Sequence, residues 1–189
     1  MIFEPLPLDG AWLLRPERMV DARGYFARTI CTREFAAHGI NGGFVQASVS
    51  YNARRGTVRG MHFQWPPGEE DKLVQCIQGA IHDVLVDLRP GSRTFLRSTS
   101  VRLDAAGVDA VYIPAGLAHG FQTLADESLV QYHMTQEFRP GLAHGYRWDD
   151  PAFGIELPLP VEVIAERDAT YPAFDVQEHR RRHREAAGR

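Results

Sequence analysis

The sequence predicts an all-β protein built as a sandwich or a barrel, and three observations lead to that class. Twelve prolines and seventeen glycines are spread along the 189 residues and divide them into short segments. Most of these segments are rich in residues that favour strands, and several alternate between apolar and polar positions. Segments with helical periodicity are scarce. Many short strands separated in this way are typical of sandwiches and barrels.

Strong turn signals separate the predicted strands. The strands cover residues 44–51, 57–64, 72–78, 80–88, 95–103, 109–114 and 128–135. The turn signals between them include the segments PPG (66–68), RPGS (89–92) and DAAG (104–107). This punctuation leaves little room for helices between the strands.

The remaining segments contain little helix. We expect a short helix over residues 33–38, capped by Thr32 and ended by Gly39. A single domain is expected over residues 1–176. Residues 177–189 hold five arginines and almost no apolar side chains. That composition predicts a basic C-terminal tail that is either a frayed helix or disordered.

The composition argues against several classes of protein. Apolar residues make up 44% and charged residues 24%, as in an ordinary globular domain. The net charge of −3 argues against a protein that binds nucleic acid mainly through phosphates. No apolar run approaches the roughly 20 residues that cross a bilayer. The first residues do not resemble a signal peptide. Cys31 and Cys76 lie in apolar stretches, and we expect reduced thiols in a cytoplasmic protein.

A cluster of polar side chains marks the segment 57–64 and its neighbourhood. Because alternate residues of a strand point to the same face, His62 and Gln64 share one face, and Arg59 is expected on the other. Lys72 follows in the next predicted strand and is the single lysine among 21 basic residues. Polar groups gathered at the mouth of a sandwich predict a ligand site.

A carboxylate occupies a strand that should be buried. Alternation aligns Asp83 with Ile81 and Leu85. A buried carboxylate needs a partner, because removing its charge from water is costly. We expect that partner to be Lys72 or His62.

The segment IPAGLAHGF around His119 has the pattern of the second cupin motif, a turn that directs a histidine into a barrel. In many cupins this histidine binds a metal ion. The first cupin motif would supply His-x-His, and the matching positions here are His62 and Gln64. Since glutamine is a poor ligand for transition metals, a metal site of two histidines with Glu69 or Glu70 is the minority interpretation.

In their order along the chain, the motifs resemble the nucleotide-sugar epimerase family typified by dTDP-4-dehydrorhamnose 3,5-epimerase. The matching segments are DARGYF (21–26), VRGMHFQ (58–64), DKLV (71–74), DVLVDLR (83–89), IPAGLAHGF (113–121), RWDDP (147–151) and ERD (166–168). The resemblance runs from about Phe3 to Phe174. It implies a jelly-roll β-sandwich of the cupin type with a few short helices, and a homodimer.

The resemblance also implies roles for individual residues. His62 lies where the family has its catalytic base, and Asp168 lies where it has the carboxylate that orients this base. Tyr132 matches the acid on the opposite face of the sugar, and Lys72 matches the lysine near the developing oxyanion. The positions expected to contact the nucleotide sugar are Arg23, Phe26, Gln46, Arg59, His119, Phe138 and Arg167.

The chemistry of such a reaction suits these residue types. Removing the C3 or C5 proton of a 4-keto sugar creates an enolate, and returning a proton to the other face inverts the centre. Histidine, with an ordinary pKa of about 6.5, is a suitable base. A tyrosine hydroxyl can serve as the acid, and Lys72 can stabilise the enolate oxygen. We expect no cofactor and no metal, and the chain has no G-x-G-x-x-G or P-loop motif.

Several positions around the nucleotide depart from the family pattern. Arg28 stands where a glutamate is usual, the Gln-x-Asn pair reads Gln46-Ala47-Ser48, and Phe138 follows Glu137 where two tyrosines are common. These departures leave open which nucleotide and sugar are used and whether C3, C5 or both are inverted. A single-centre 3- or 5-epimerase acting on another NDP-4-keto sugar is one alternative. A metal-dependent cupin oxygenase or isomerase and a non-catalytic sugar-nucleotide binder are two others.

Overall fold

The computed structural model describes residues 1–188. The strands are β1 (Ile2–Pro5), β2 (Trp12–Arg15), β3 (Arg18–Asp21), β4 (Gly24–Ala27), β5 (Gln46–Asn52), β6 (Thr57–Gln64), β7 (Lys72–Gln78), β8 (Ala80–Asp87), β9 (Ser98–Asp104), β10 (Ala110–Ile113), β11 (Leu117–Thr123), β12 (Ser128–Met134), β13 (Ala143–Gly145) and β14 (Val163–Ile164). The helices are α1 (Thr32–Ala37), α2 (Glu166–Ala169) and α3 (Val176–Ala187).

Two antiparallel sheets face each other. The first sheet has the strand order β1-β2-β10-β7-β12-β5, and the second has the order β13-β6-β11-β8-β9, with β14 paired in parallel to β6. Strands β3 and β4 form a separate two-stranded hairpin. The predicted fold class, a jelly-roll sandwich of the cupin type with few short helices, is confirmed.

The main core lies between the two sheets. Its side chains come from alternate positions of strands in both sheets, because only one face of each sheet points inward. The fully buried members include Val74, Cys76 and Val130 from the first sheet and Ile81 and Leu85 from the second. Burying one such apolar side chain stabilises the folded protein by about 1.5–3 kcal/mol. Burial on this scale holds the sheets together over most of their length and leaves one end available for a site.

The other face of the second sheet is also covered. Met61 and Phe63, which alternate with His62 on β6, pack there in a second apolar cluster with Tyr146 and Phe153. Strand β6 therefore has apolar residues on its outer face and polar residues on its inner face. This alternation is the reason that His62 points between the sheets.

The start of helix α1 differs from the prediction. Thr32 is the first residue of the helix rather than its cap, and Cys31 occupies the cap position without a side-chain hydrogen bond. The helix is held instead by Phe35, which is fully buried. Packing of one aromatic side chain thus compensates for the missing cap.

The predicted tail contains a helix that packs on the domain. Helix α3 begins after Asp175, whose carboxylate accepts hydrogen bonds from the backbone N–H groups of Gln177 and Glu178. His179 is only 1% exposed. The segment after residue 176 is therefore anchored to the sandwich rather than separate from it. Arg189, the last residue of the predicted tail, lies outside the described residues.

Two further predictions concern the cysteines and membrane segments. Cys31 and Cys76 are both free thiols. Burial raises the pKa of the Cys76 thiol to about 11, which keeps it protonated at neutral pH. Among residues 1–188, no helix combines the length and the apolar character that crossing a bilayer requires.

Candidate active site

A histidine–aspartate pair stands at the open end of the sandwich. His62 Nε2 lies 2.8 Å from Asp168 Oδ1, and the backbone N–H of Gly60 donates to Asp168 Oδ2 at 3.2 Å. Burial alone would raise the pKa of the Asp168 carboxyl, but the hydrogen bonds from His62 and Gly60 hold it below its ordinary value. An imidazole that donates Nε2–H to this carboxylate keeps Nδ1 as its basic nitrogen.

A second histidine–aspartate pair lies deeper between the sheets. His119 Nε2 is 2.7 Å from Asp83 Oδ1, and both side chains are buried. The expectation that Lys72 or His62 would pair with Asp83 is therefore wrong. Strands β8 and β11 are neighbours, and their register brings His119 and Asp83 together, whereas Lys72 lies on the opposite sheet. Among the described residues, Asp83 Oδ2 has no hydrogen-bond partner.

Tyr132 faces these histidines from the first sheet. Its ring meets the His119 ring edge-on, with 5.9 Å between the centroids. Burial raises the pKa of the Tyr132 hydroxyl, the Asp83 charge raises it further, and Arg59 lowers it. The net direction is upward, so the phenol keeps its proton at neutral pH and is able to donate it.

Arg59 lies on the inner face of β6, which contradicts the face that strict alternation predicts. The pairing of β6 with β11 shifts register between His119 and Phe121, and Arg59 pairs with the buried Phe121. Arg59 Nε donates to Asn52 Oδ1 at 2.7 Å, across to the first sheet. Because the register shifts between Arg59 and His62, both side chains point between the sheets.

Lys72 lies on the inner face of the first sheet, near the open end of the sandwich. Met134 pairs with Lys72 on one side and with Gln46 on the other, so these three side chains share one row on the inner face. Lys72 Nζ lies 3.1 Å from Glu70 Oε1. Gln46 Oε1 accepts a hydrogen bond from the backbone N–H of Phe138 at 2.8 Å.

A cavity of about 230 Å³ opens between these elements. Side chains from both sheets line it, with His62 on the second sheet and Tyr132 on the first. The predicted site residues that line the cavity are Gln46, His62, Lys72, Tyr132, Phe138 and Arg167. The structure thus brings six of the eleven predicted site residues to one cavity.

Five predicted site residues are not in the cavity lining. Asp168 lies behind His62, and His119 lies behind Tyr132, each one contact away from the cavity. Arg59 is on the inner face of β6, with an exposed side chain that bonds to Asn52 and Tyr51 rather than to a cavity residue. Arg23 and Phe26 are on the hairpin of β3 and β4, where both side chains are exposed to solvent. Within this one chain, the hairpin does not bring Arg23 and Phe26 to the cavity.

The cavity also includes residues outside the eleven predicted site residues. Those with polar or aromatic side chains are Phe63, Gln64, Glu70, Gln136, His144 and Tyr171. Tyr171 follows Asp168 by three residues, and its ring centroid is 6.4 Å from that of His62. His144 lies on β13, where its neighbour Gly145 pairs with His62. Proximity in sequence to Asp168 and Lys72 was the available signal for Tyr171 and Glu70.

Gln64 occupies the position where cupins have a second metal-binding histidine, and its side chain is hydrogen-bonded to other groups of the protein. Gln64 Nε2 donates to Gly68 O at 2.9 Å and to Glu70, and Gln64 Oε1 accepts from the backbone N–H of Arg139 at 2.8 Å. In the part of the chain that the structure describes, no three His, Cys, Asp or Glu side chains are grouped to hold a metal ion.

Comparisons with known proteins match nearly the whole chain. The family model for dTDP-4-dehydrorhamnose 3,5-epimerase matches residues 5–175. The dTDP-4-dehydrorhamnose 3,5-epimerase of Sinorhizobium fredii is 38% identical over 175 residues, which are 92% of this chain and 90% of that protein.

Solved structures of two epimerases are also similar to this chain over nearly its whole length. The dTDP-6-deoxy-D-glucose-3,5-epimerase of Legionella pneumophila, in complex with dTDP-4-keto-L-rhamnose, has a TM-score of 0.85 and 29% identity, covering 91% of this chain and 92% of that one. A 3'-monoepimerase of Streptomyces bikiniensis, in complex with dTDP-quinovose, has a TM-score of 0.83 and 30% identity, covering 98% and 99%.

Proposed function

This chain belongs to the dTDP-4-dehydrorhamnose 3,5-epimerase family, and from this premise we propose how its own residues carry out the reaction. It is a nucleotide-sugar epimerase. We propose dTDP-4-dehydro-6-deoxyglucose as its substrate and inversion at both C3 and C5. The presence of His62 and Tyr132 in one cavity, on opposite sheets, is the observation that carries the proposal.

His62 acts as the base in the proposed mechanism. Asp168 holds Nε2, so Nδ1 takes the proton from the carbon next to the keto group. The ionised Asp168 also stabilises the imidazolium that forms. The electrons left on carbon delocalise onto the keto oxygen, and the ammonium of Lys72 stabilises this enolate.

Tyr132 returns a proton from the other side of the ring. Its raised pKa keeps the hydroxyl protonated until the enolate accepts the proton. A base and an acid on opposite faces convert proton exchange into inversion. The Tyr132→Phe variant should therefore lose epimerisation to a greater extent than deuterium exchange, and equal losses of both would contradict the assignment of Tyr132 as the acid.

The nucleotide part of the substrate occupies the outer cavity in this proposal. Phe138 offers an exposed ring for stacking on the base. Its backbone is held by Gln46, which fixes the loop that carries the ring. Arg167 supplies positive charge at the same end of the cavity, where a diphosphate needs it.

A homodimer explains the exposed hairpin of β3 and β4. Met19, Val20, Tyr25 and Phe26 all expose large apolar side chains there. A monomer rarely leaves such a group of apolar side chains in water. We propose that the hairpin packs on a second copy and brings Arg23 and Phe26 to that copy's site. Light scattering checks the dimer, and a monomeric, fully active protein would contradict it.

Incubation with the 4-keto-6-deoxy sugar nucleotide in deuterated water tests the function. Deuterium at both C3 and C5 is the expected result, and NMR reads both positions in one spectrum. Uptake at a single carbon would make the protein a single-centre epimerase. Absence of uptake with dTDP-, UDP-, GDP- and CDP-sugars would favour a non-catalytic binder. Activity that a chelator abolishes and iron restores would favour a metal-dependent cupin.

A further inference from the structure

Glu70 holds the proposed oxyanion lysine inside the cavity. Its carboxylate lies 3.1 Å from Lys72 Nζ, and its other oxygen accepts a hydrogen bond from Gln64 Nε2. The Glu70 side chain is 9% exposed and the Lys72 side chain is 12% exposed. We propose that Glu70 is a positioning residue for the reaction, acting through Lys72. This inference rests on the proposed function.

The need for such a residue follows from the properties of lysine. An ammonium sits at the end of four rotatable bonds, and it stabilises an enolate only if it is already in place when the charge develops. A largely buried ammonium also requires a counter-charge, because water no longer compensates for it. Glu70 meets both requirements with a single ion pair.

The orientation of Glu70 is itself fixed. The Gln64 amide has two N–H donors, and they are used by Gly68 O and by Glu70. Its oxygen accepts from the backbone N–H of Arg139, so the amide has one orientation that satisfies all its partners. Glu70 therefore cannot turn away from Lys72 without leaving an N–H of Gln64 unpaired.

The same contacts join Lys72 to the loop that carries Phe138. Gln64 of the second sheet holds the backbone N–H of Arg139, and Gln46 of the first sheet holds that of Phe138. Two consecutive N–H groups are thus held by glutamines from opposite sheets. A hydrogen-bonded path leads from this loop through Gln64 and Glu70 to Lys72. The ammonium is therefore placed relative to the same loop that is proposed to bind the base.

The test compares Glu70→Gln with Glu69→Gln. Glu69 is the adjacent carboxylate, but it is directed away from the cavity, with His183 at 3.7 Å. We expect Glu70→Gln to lower kcat by about tenfold with KM changed less than about threefold, because the ammonium remains but is no longer held. Glu69→Gln should retain wild-type kcat and KM.

A double-mutant cycle shows whether Glu70 acts through Lys72. Lys72→Met alone should lower kcat by about 10²-fold or more. Adding Glu70→Gln to Lys72→Met should cause no further loss, since the group that Glu70 positions is already absent. A full additional tenfold loss would indicate a separate structural role and would overturn the inference.

Glu70→Asp keeps the test valid if Glu70→Gln folds poorly. Aspartate retains the charge but is one methylene shorter, so it should recover part of the lost kcat. Wild-type kcat in a folded Glu70→Gln or Glu70→Asp variant would overturn the role of Glu70 alone. Absence of deuterium uptake in the wild-type protein would overturn the proposed function itself, and the two failures are therefore distinguishable.

Discussion

The two histidine–aspartate pairs have the same hydrogen bond and different surroundings. His62 and Asp168 are 2.8 Å apart, and His119 and Asp83 are 2.7 Å apart. The His62 side chain is 34% exposed and lines the cavity, whereas the His119 side chain is 5% exposed and lies behind Tyr132. An imidazole needs access to the substrate before its basicity has any use. The comparison therefore supports the proposed proton transfer by His62 and favours an internal supporting role for His119.

The two carboxylates differ as well. Asp168 accepts hydrogen bonds on both oxygens, from His62 and from the backbone of Gly60. Asp83 uses one oxygen, and among the described residues the other has no partner. A carboxylate with hydrogen bonds on both oxygens is held rigidly and stays ionised, because those bonds lower its pKa. Asp168 is thus suited to orient a base, while Asp83 mainly places charge near Tyr132.

Replacement of His62 should have the largest effect. His62→Ala removes the base and leaves Asp168 without its main partner, so deuterium uptake and epimerisation should both fall by about 10⁴-fold. NMR in deuterated water measures both. Residual uptake within tenfold of wild type would mean that another group, such as His144 or Tyr171 of the same cavity, takes the proton.

Asp168→Asn should come next. The amide can present an N–H to His62, which favours the wrong tautomer and removes the charge that stabilises the imidazolium. Turnover should fall by about 10²-fold or more. Thermal unfolding at neutral pH separates this effect from loss of folding. If the variant is nearly as stable as the wild type, the loss of turnover comes from the chemistry. Turnover close to wild type would contradict the orienting role of Asp168.

Asp83→Asn should affect stability more than turnover, the reverse of Asp168→Asn. His119 does not line the cavity, so kcat should fall less than tenfold. The new amide must bury an N–H where Asp83 Oδ2 now has no partner among the described residues, which costs about 1–3 kcal/mol of stability. Urea unfolding gives the stability, and kcat from the same preparation completes the comparison. A loss of turnover equal to that of Asp168→Asn would remove the distinction between the two pairs.

Local patterns in the sequence predicted the strands that hold the site. The bounds of 57–64 and 72–78 agree with β6 and β7, because alternating strand formers end at clear turn residues there. The N-terminal strands β1 to β4 were not predicted. Each has four residues, too few for alternation to be visible. Strand β11 was recognised as a motif around His119 but not as a strand.

The errors at the site come from long-range geometry. The face of Arg59 depends on a register shift in the pairing with β11, which the sequence of β6 does not report. The partner of Asp83 depends on which strands are neighbours, and His119 is 36 residues away. The roles that the family resemblance implied for His62 and Asp168 stay predictions, to be tested by the variants above.

A third imidazole, which is buried like that of His119, extends the comparison because it has no carboxylate partner. His179 Nδ1 lies 3.0 Å from the Tyr146 hydroxyl, and Nε2 donates to Leu88 O at 2.7 Å. Both hydrogen bonds fit a neutral imidazole, because one of its nitrogens donates a hydrogen bond and the other accepts one. Burial lowers the pKa of His179, the bond to Leu88 O raises it, and the charges of His183 and His144 lower it, with a net lowering.

The sign of the resulting pH dependence follows from the lowered pKa. The unfolded chain binds a proton at His179 near pH 6.5, before the folded protein does, so the unfolded state is favoured as the pH falls below that value. The stability that neutral His179 contributes is complete above pH 6.5. It falls by up to about 1.4 kcal/mol per pH unit as the pH drops towards the pKa of His179 in the folded protein.

His179→Phe should lower the stability at pH 7.5 but make the stability depend less on pH between pH 7 and pH 5. His183→Gln, one turn further along the same face of α3, is the control and should retain most of the wild-type slope, because burial is the main cause of the lowered His179 pKa. Urea unfolding across this range measures both, and an unchanged slope in His179→Phe would show that the acid sensitivity arises elsewhere, for example at the half-buried His144.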